Sequence, residues 1–120
     1  VFAHHPPFTN SRRAGDSRAS KTFFVPHFMK SKKTVGFFSG HVHSYERFSF
    51  NKKTFVVSGG GGGPRVSVRK NGHYPDEIKL PLARSFHVLS AALTNEKILI
   101  STMGFQKGGE NLTQIDHFEL

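Results

Sequence analysis

Short apolar runs broken by glycine, proline and polar clusters set the layout of this chain. Val1-Phe2-Ala3 begins a strand over residues 1–4 that runs directly into His4-His5-Pro6-Pro7-Phe8, and residues 5–16 read as a polar loop. Over residues 17–32, Phe23, Phe24, Val25 and Phe28 recur at helical spacing on one face. Lys30, Lys32 and Lys33 close that segment, where cations suit the helix dipole. Pro26 inside it predicts a kink or a fresh helix start. The next strand covers 34–39, and Phe48–Phe50 and Thr54–Ser58 form a further pair joined around Asn51-Lys52-Lys53.

The pattern then weakens. From Gly59 to about Ala83 the chain reads as irregular, with one short strand at Val66–Val68, and loops of that length are uncommon unless functional or mobile. The run Gly59 to Gly63 reads as a flexible strand exit in preference to the alternative of a phosphate cradle, because no helix follows to supply a dipole. Beyond it, Ser85–Leu93 and Lys97–Met103 are β-rich runs around Thr94-Asn95-Glu96, which predicts a hairpin. After the turn-rich Lys107-Gly108-Gly109-Glu110-Asn111, a last strand over Thr113–Glu119 should put Ile115 and His117 on one face, Asp116 and Phe118 on the other. The expected class is α/β, one main helix followed by mostly antiparallel strands. It divides into an α/β portion (1–58), a long loop region (59–84) and closing antiparallel strands (85–120).

Composition narrows this picture in three ways. A chain of 120 residues with 36% hydrophobic content can form one small domain, and no apolar run approaches the roughly 20 residues that span a bilayer. The expectation is a soluble protein with no membrane partner; secretion stays open, and Asn111-Leu112-Thr113 would be a glycosylation sequon in that case. Zero cysteines exclude disulfides and thiolate metal sites, while thirteen phenylalanines supply core rings that need no hydrogen-bond partner. The net charge of +9 is uneven: residues 1–50 hold 8 basic and 2 acidic side chains, residues 51–120 hold 9 and 6. The more basic half would favour an anionic substrate. No nucleic-acid module is recognisable and no aromatic residues interleave with the charges, so no specific nucleic-acid partner is expected.

That basic half also carries the candidate chemistry. In Gly40-His41-Val42-His43, two imidazoles one residue apart in an extended segment would project to the same side, with Cα atoms roughly 6 to 7 Å apart. Such a pair can converge on one ion or on two bridged ions, or can be two unrelated histidines at a solvated strand end. His4 shares its layout, an apolar β-type run ending in histidine at a loop, which is where open α/β sheets bind ligands. Pro6 and Pro7 stiffen the loop and keep His5 extended.

Two segments resemble the calcineurin-like metallophosphoesterases, and within them the purple-acid-phosphatase-like branch. They are Val1-Phe2-Ala3-His4-His5-Pro6-Pro7-Phe8-Thr9-Asn10-Ser11 and Gly36-Phe37-Phe38-Ser39-Gly40-His41-Val42-His43-Ser44-Tyr45-Glu46-Arg47, the second being the more specific. Val25-Pro26-His27-Phe28 and Val56-Val57-Ser58 followed by glycines also fit. The resemblance implies the C-terminal half of a four-layer αββα sandwich. It further implies a dinuclear-metal phosphoesterase that hydrolyses phosphate esters by attack of a metal-bound hydroxide. By the same correspondence His4 and His41 would ligate one ion and His43 the other, with iron, zinc or manganese as the metals. His5 would be a substrate or outer contact, or a plain loop residue; Arg12 or Arg13 would clamp phosphate, or be solvated; Tyr45, Glu46 and Arg47 would brace the metal loop. His27, His73, His87 and His117 are assigned to structure or surface.

The family's Asp-x-His, Gly-Asp-x-x-Asp and Gly-Asn-His motifs are missing, and Asp16 in Ala14-Gly15-Asp16-Ser17-Arg18 does not supply one. The purple acid phosphatases' phosphate-contacting histidines are also replaced here by Asn10-Ser11-Arg12-Arg13-Ala14. The expected partners are therefore a phosphate-ester substrate and the N-terminal half of the domain, which would bring the bridging carboxylates, so that the isolated chain would be inactive. The alternative is a non-catalytic binding or structural module that retains a histidine half-site.

Overall fold

A computed structural model describes residues 1–69, 71–78, 82–105 and 111–120. Strand β1 (Phe2–Ala3) is followed by a polar loop, a wide π-type turn over Ser20–Phe24, and helix α1 (Val25–Lys30). The helix expected over 17–32 runs unbroken from 18 to 30 and widens to π-type geometry over Ser20–Phe24. Pro26 sits in the first turn of α1, directly after the widened stretch. The wide turn shifts the phase of what precedes it. Phe28 stays buried, but Phe23 and Phe24 leave its face and are 67% and 52% exposed.

Strand β2 (Gly36–Ser39) returns beside β1 in parallel, with Phe2 opposite Phe38 and Ala3 opposite Ser39. A parallel pair needs a long crossover, and the loop and helix between them supply it. β3 (Tyr45–Phe50) and β4 (Lys53–Ser58) then form a hairpin closed by Asn51 and Lys52, both at positive φ (48° and 63°), the geometry of a two-residue turn that follows strand twist. β4 inserts parallel to β2, giving the order β1-β2-β4-β3. The hairpin is longer than expected, because Tyr45, Glu46 and Arg47 belong to β3 rather than to the loop before it. Lys53 Nζ donates to the carbonyls of Ser31 and Thr34 beyond α1, so the cation at the helix end comes from a strand and not only from the lysines of the helix itself.

The second sheet is antiparallel, in the order β5 (Phe86–Leu93), β6 (Ile98–Phe105), β7 (Thr113–Glu119), and a short 3₁₀ turn at Leu82–Arg84 leads into it. Thr102 pairs with Asp116 but Met103 pairs with Gln114, so Ile115 is an extra residue, a β-bulge. The bulge breaks the expected alternation. Ile115 packs into the same inter-sheet cluster as Phe118 instead of facing outward with His117, which is exposed.

Two cores follow from the pleat of the first sheet. On one face Phe37, Phe48, Phe55 and Val57 pack with Phe28 of α1 and with Val42; the Phe28 ring meets Phe37 and Phe55 edge-on at 5.5 and 5.0 Å. On the other, Tyr45 and Val56 pack with Ile78 and Ala83 and with Leu89, Ile115 and Phe118 of the second sheet. The class is mixed α/β with one main helix and mostly antiparallel strands. Among the described residues the layers number three, helix on sheet on sheet. The strand expected at Val66–Val68 reduces to one bridge, Ser11 to Val68, and the turn expected at 107–110 lies outside the described residues. No helix among the described residues is long and apolar enough to cross a membrane.

Lys52 carries the left-handed strain of the β3–β4 turn with an exposed side chain. Lys52→Gly should raise stability by about 0.5 to 1 kcal/mol, since a left-handed conformation costs a non-glycine residue about 1 to 2 kcal/mol and glycine gives part of that back in unfolded-chain entropy. Urea midpoints of the two proteins check it, and a lower midpoint for the variant would refute the strained-turn account.

Candidate metal centre

The parallel register decides which histidines meet. With Ala3 opposite Ser39, the ladder continues as the Gly40 N–H donates to the His4 carbonyl at 3.1 Å. His4 is thereby placed beside His41, and His41 Nδ1 lies 3.2 Å from His4 Nε2. His5 joins them. Its ring centroid is 4.7 Å from that of His4 and 4.2 Å from that of His41, and one ligand nitrogen from each of the three rings falls within 4.8 Å of the others. All three are exposed. Among the described residues no carboxylate belongs to this cluster.

The Gly40–His43 segment is not extended. Val42 N–H donates to Gly40 and Ser44 N–H to Val42, at 2.6 and 2.8 Å, which are successive tight turns, and His41 is left-handed with φ 61°. Val42 turns into the core beneath the loop and is fully buried. The two histidines consequently face different neighbours. His41 faces His4 and His5, whereas His43 Nδ1 lies 3.0 Å from the Pro64 carbonyl. Donation from Nδ1 leaves His43 Nε2 as its available ligand atom. Gly59 and Gly63 allow this arrangement: a Cβ on Gly59 would lie 2.1 Å from the Val42 carbonyl oxygen, and one on Gly63 would lie 2.3 Å from the His43 ring. His41 is held below the ordinary histidine pKa, first by desolvation and then by the charges that His5, His4 and His43 would carry.

Of Tyr45, Glu46 and Arg47, Glu46 alone reaches the histidine segments. Its buried carboxylate accepts from Thr9 Oγ1 (2.7 Å), the Asn10 N–H (2.6 Å) and Ser44 Oγ (2.7 Å), binding the loop after His5 to the loop after His43. Burial raises its pKa against the pull of these three donors. Tyr45 and Arg47 project to the opposite face, as strand alternation requires. Arg47 grips Asp116 of β7 through Nε at 2.8 Å and Nη2 at 3.1 Å, and the Tyr45 hydroxyl donates to the same carboxylate at 2.7 Å. These two residues brace the sheets against each other. Arg12 and Arg13 are exposed on the loop after Asn10, held through backbone contacts to Ser67 and Ser11.

Sequence reasoning did not anticipate His5 in the cluster, nor the polar knot in which Asp16 accepts from the Thr9 N–H at 2.9 Å, from Lys21 and from Tyr74. The proline after His5 was the available signal for the first. The second joins residues 58 apart and left none.

The chain matches no protein-family model and no curated protein sequence. Among solved structures its fold is similar to one titled "GAP50 the anchor in the inner membrane complex of Plasmodium", with a TM-score of 0.51 and 14% identity, over 94% of this chain and 34% of that one. The chain thus spans about a third of that structure's length, and at this identity the likeness concerns the fold alone.

Two outcomes are expected. Glu46→Ala leaves three donors without an acceptor and should cost about 3 kcal/mol, against about 1 kcal/mol for Ser44→Ala, which removes one donor; equal urea midpoints for the two variants would contradict the shared-acceptor geometry. Asp76 accepts the N–H groups of Arg47 and Ile78, both at 3.0 Å, and burial raises its pKa from 3.8 to about 6. Because the folded value is the higher one, its contribution is complete below about pH 4 and is lost as pH rises through about 6. Asp76→Asn keeps the accepting oxygen without the charge, so its urea midpoint should fall less than the wild type's between pH 4 and 7. Parallel profiles would rule out Asp76 as the titrating group.

Proposed function

We propose that this chain is the histidine-bearing part of a metal-dependent phosphoesterase of the calcineurin-like, purple-acid-phosphatase-like kind, acting on phosphate esters. One observation carries the reading: His4 and His41 follow two adjacent parallel strands and meet at 3.2 Å at their carboxyl ends, where open α/β sheets bind ligands. The Gly40-His41-Val42-His43-Ser44-Tyr45-Glu46-Arg47 segment, the fold likeness to part of a larger structure and the basic charge of residues 1–50 support it.

Three imidazoles without a carboxylate do not fit a bridged pair of ions, which needs anionic oxygens between the metals. In this reading the carboxylates come from further polypeptide. A completed centre supplies the nucleophile and the charge neutralisation for attack at phosphorus. This chain's own contribution is positional. Pro6 and Pro7 fix the loop of His4 and His5, Glu46 holds that loop to the His41–His43 loop, and the Pro64 carbonyl orients His43 with Nε2 available. Arg12 and Arg13, exposed on the following loop, are the cations offered to a phosphate group.

The 120-residue chain alone should turn over no appreciable p-nitrophenyl phosphate with Mn²⁺ or Zn²⁺. A parent polypeptide bearing the Asp-rich motifs should hydrolyse it, and His41→Ala or His43→Ala in that parent should lower kcat at least about 100-fold. A parent whose metal content and turnover survive both substitutions would overturn the reading.

A further inference from the structure

The ligand set implied by the family likeness pairs His4 with His41, gives His43 to a second ion and leaves His5 outside. The geometry of this chain is different. His4, His5 and His41 converge, and His43 is turned onto Pro64. Four ligands about 2.05 Å from a tetrahedral zinc ion stand about 3.3 Å apart, and His4 Nε2 to His41 Nδ1 is 3.2 Å. The three rings are inclined to one another at 90°, 69° and 49° rather than stacked flat, as rings grouped around one point are.

The backbone holds this grouping in place. Ser20 Oγ donates to the His5 carbonyl at 2.9 Å, and the Gly40 N–H donates to the His4 carbonyl. His41 occupies a left-handed conformation uncommon outside glycine and asparagine, and that conformation goes with its ring facing the other two. Because all three rings are exposed, an ion can arrive without local unfolding.

We propose that His4, His5 and His41 form a three-histidine site for a single divalent transition-metal ion of the kind that imidazole ligands suit. Three protein ligands leave the fourth tetrahedral position open, as in catalytic rather than structural zinc sites. The site does not depend on the phosphoesterase reading, since it needs no carboxylate and no further polypeptide.

The test is calorimetric titration of the tag-free chain with ZnCl₂, with Co²⁺ as a spectroscopic stand-in. The wild type should take up one ion per chain. His5→Ala, His4→Ala and His41→Ala should each weaken that uptake at least tenfold, while His117→Ala, at an exposed histidine outside the cluster, should change it less than threefold. Circular dichroism should be unchanged throughout, because the substituted rings are exposed. The proposal fails if His5→Ala binds the first ion as the wild type does, if His117→Ala is the damaging change, or if the wild type binds no better than the variant lacking all three rings. Absence of phosphatase activity would leave it standing, so the two readings fail separately.

Discussion

The fully buried Glu46 carboxylate holds the functional end of the molecule together. Three donors from two loops converge on it, and among the described residues no lysine or arginine pairs with it; hydroxyls and a backbone N–H take the place of a counter-ion. A buried charge is tolerable only when its hydrogen bonds are satisfied, and here every partner lies within a few residues of a histidine. The hydrogen bonds of one side chain therefore tie together the loops that follow the His4-His5 and His41-His43 segments.

Strand alternation extends this arrangement across the sheet. Glu46 faces the helix side, while its neighbours Tyr45 and Arg47 face the second sheet and share Asp116. The ion pair is bidentate, and the Arg47 guanidinium also lies 4.5 Å from the Phe118 ring centroid. Three consecutive residues thus join the histidine loops, the first sheet and the second sheet. A one-residue slip in β3 would exchange the two faces and bury the wrong charges.

Much of the fold could be read from the chain. The β-rich runs at 85–93, 97–103 and 113–119 form strands near those limits, and the Asn51-Lys52 turn sits where the two flanking runs placed it. What sequence could not supply was phase and register. A π-type turn displaced Phe23 and Phe24, a bulge rotated Ile115, and two tight turns drove His41 and His43 apart where an extended segment would have aligned them. Local pattern reports periodicity, and each of these features is a single-residue departure from period. His5 illustrates the other limit. Its adjacency to His4 is visible, but its approach to His41 depends on which strands pair and in which direction.

The parallel pairing of β1 and β2 also has a consequence for how the molecule reaches this state. His4 and His41 are 37 residues apart, and the loop between them must close before their rings meet. Antiparallel hairpins such as β3–β4 and β5–β6 close over a few residues and can form early, whereas long-range parallel pairing is slow. Until β1 docks, the chain carries two separate histidine pairs, His4 with His5 and His41 with His43. The convergence of three imidazoles is thus a signature of the completed sheet, and it appears in folding only when the most distant contact of the first sheet has been made.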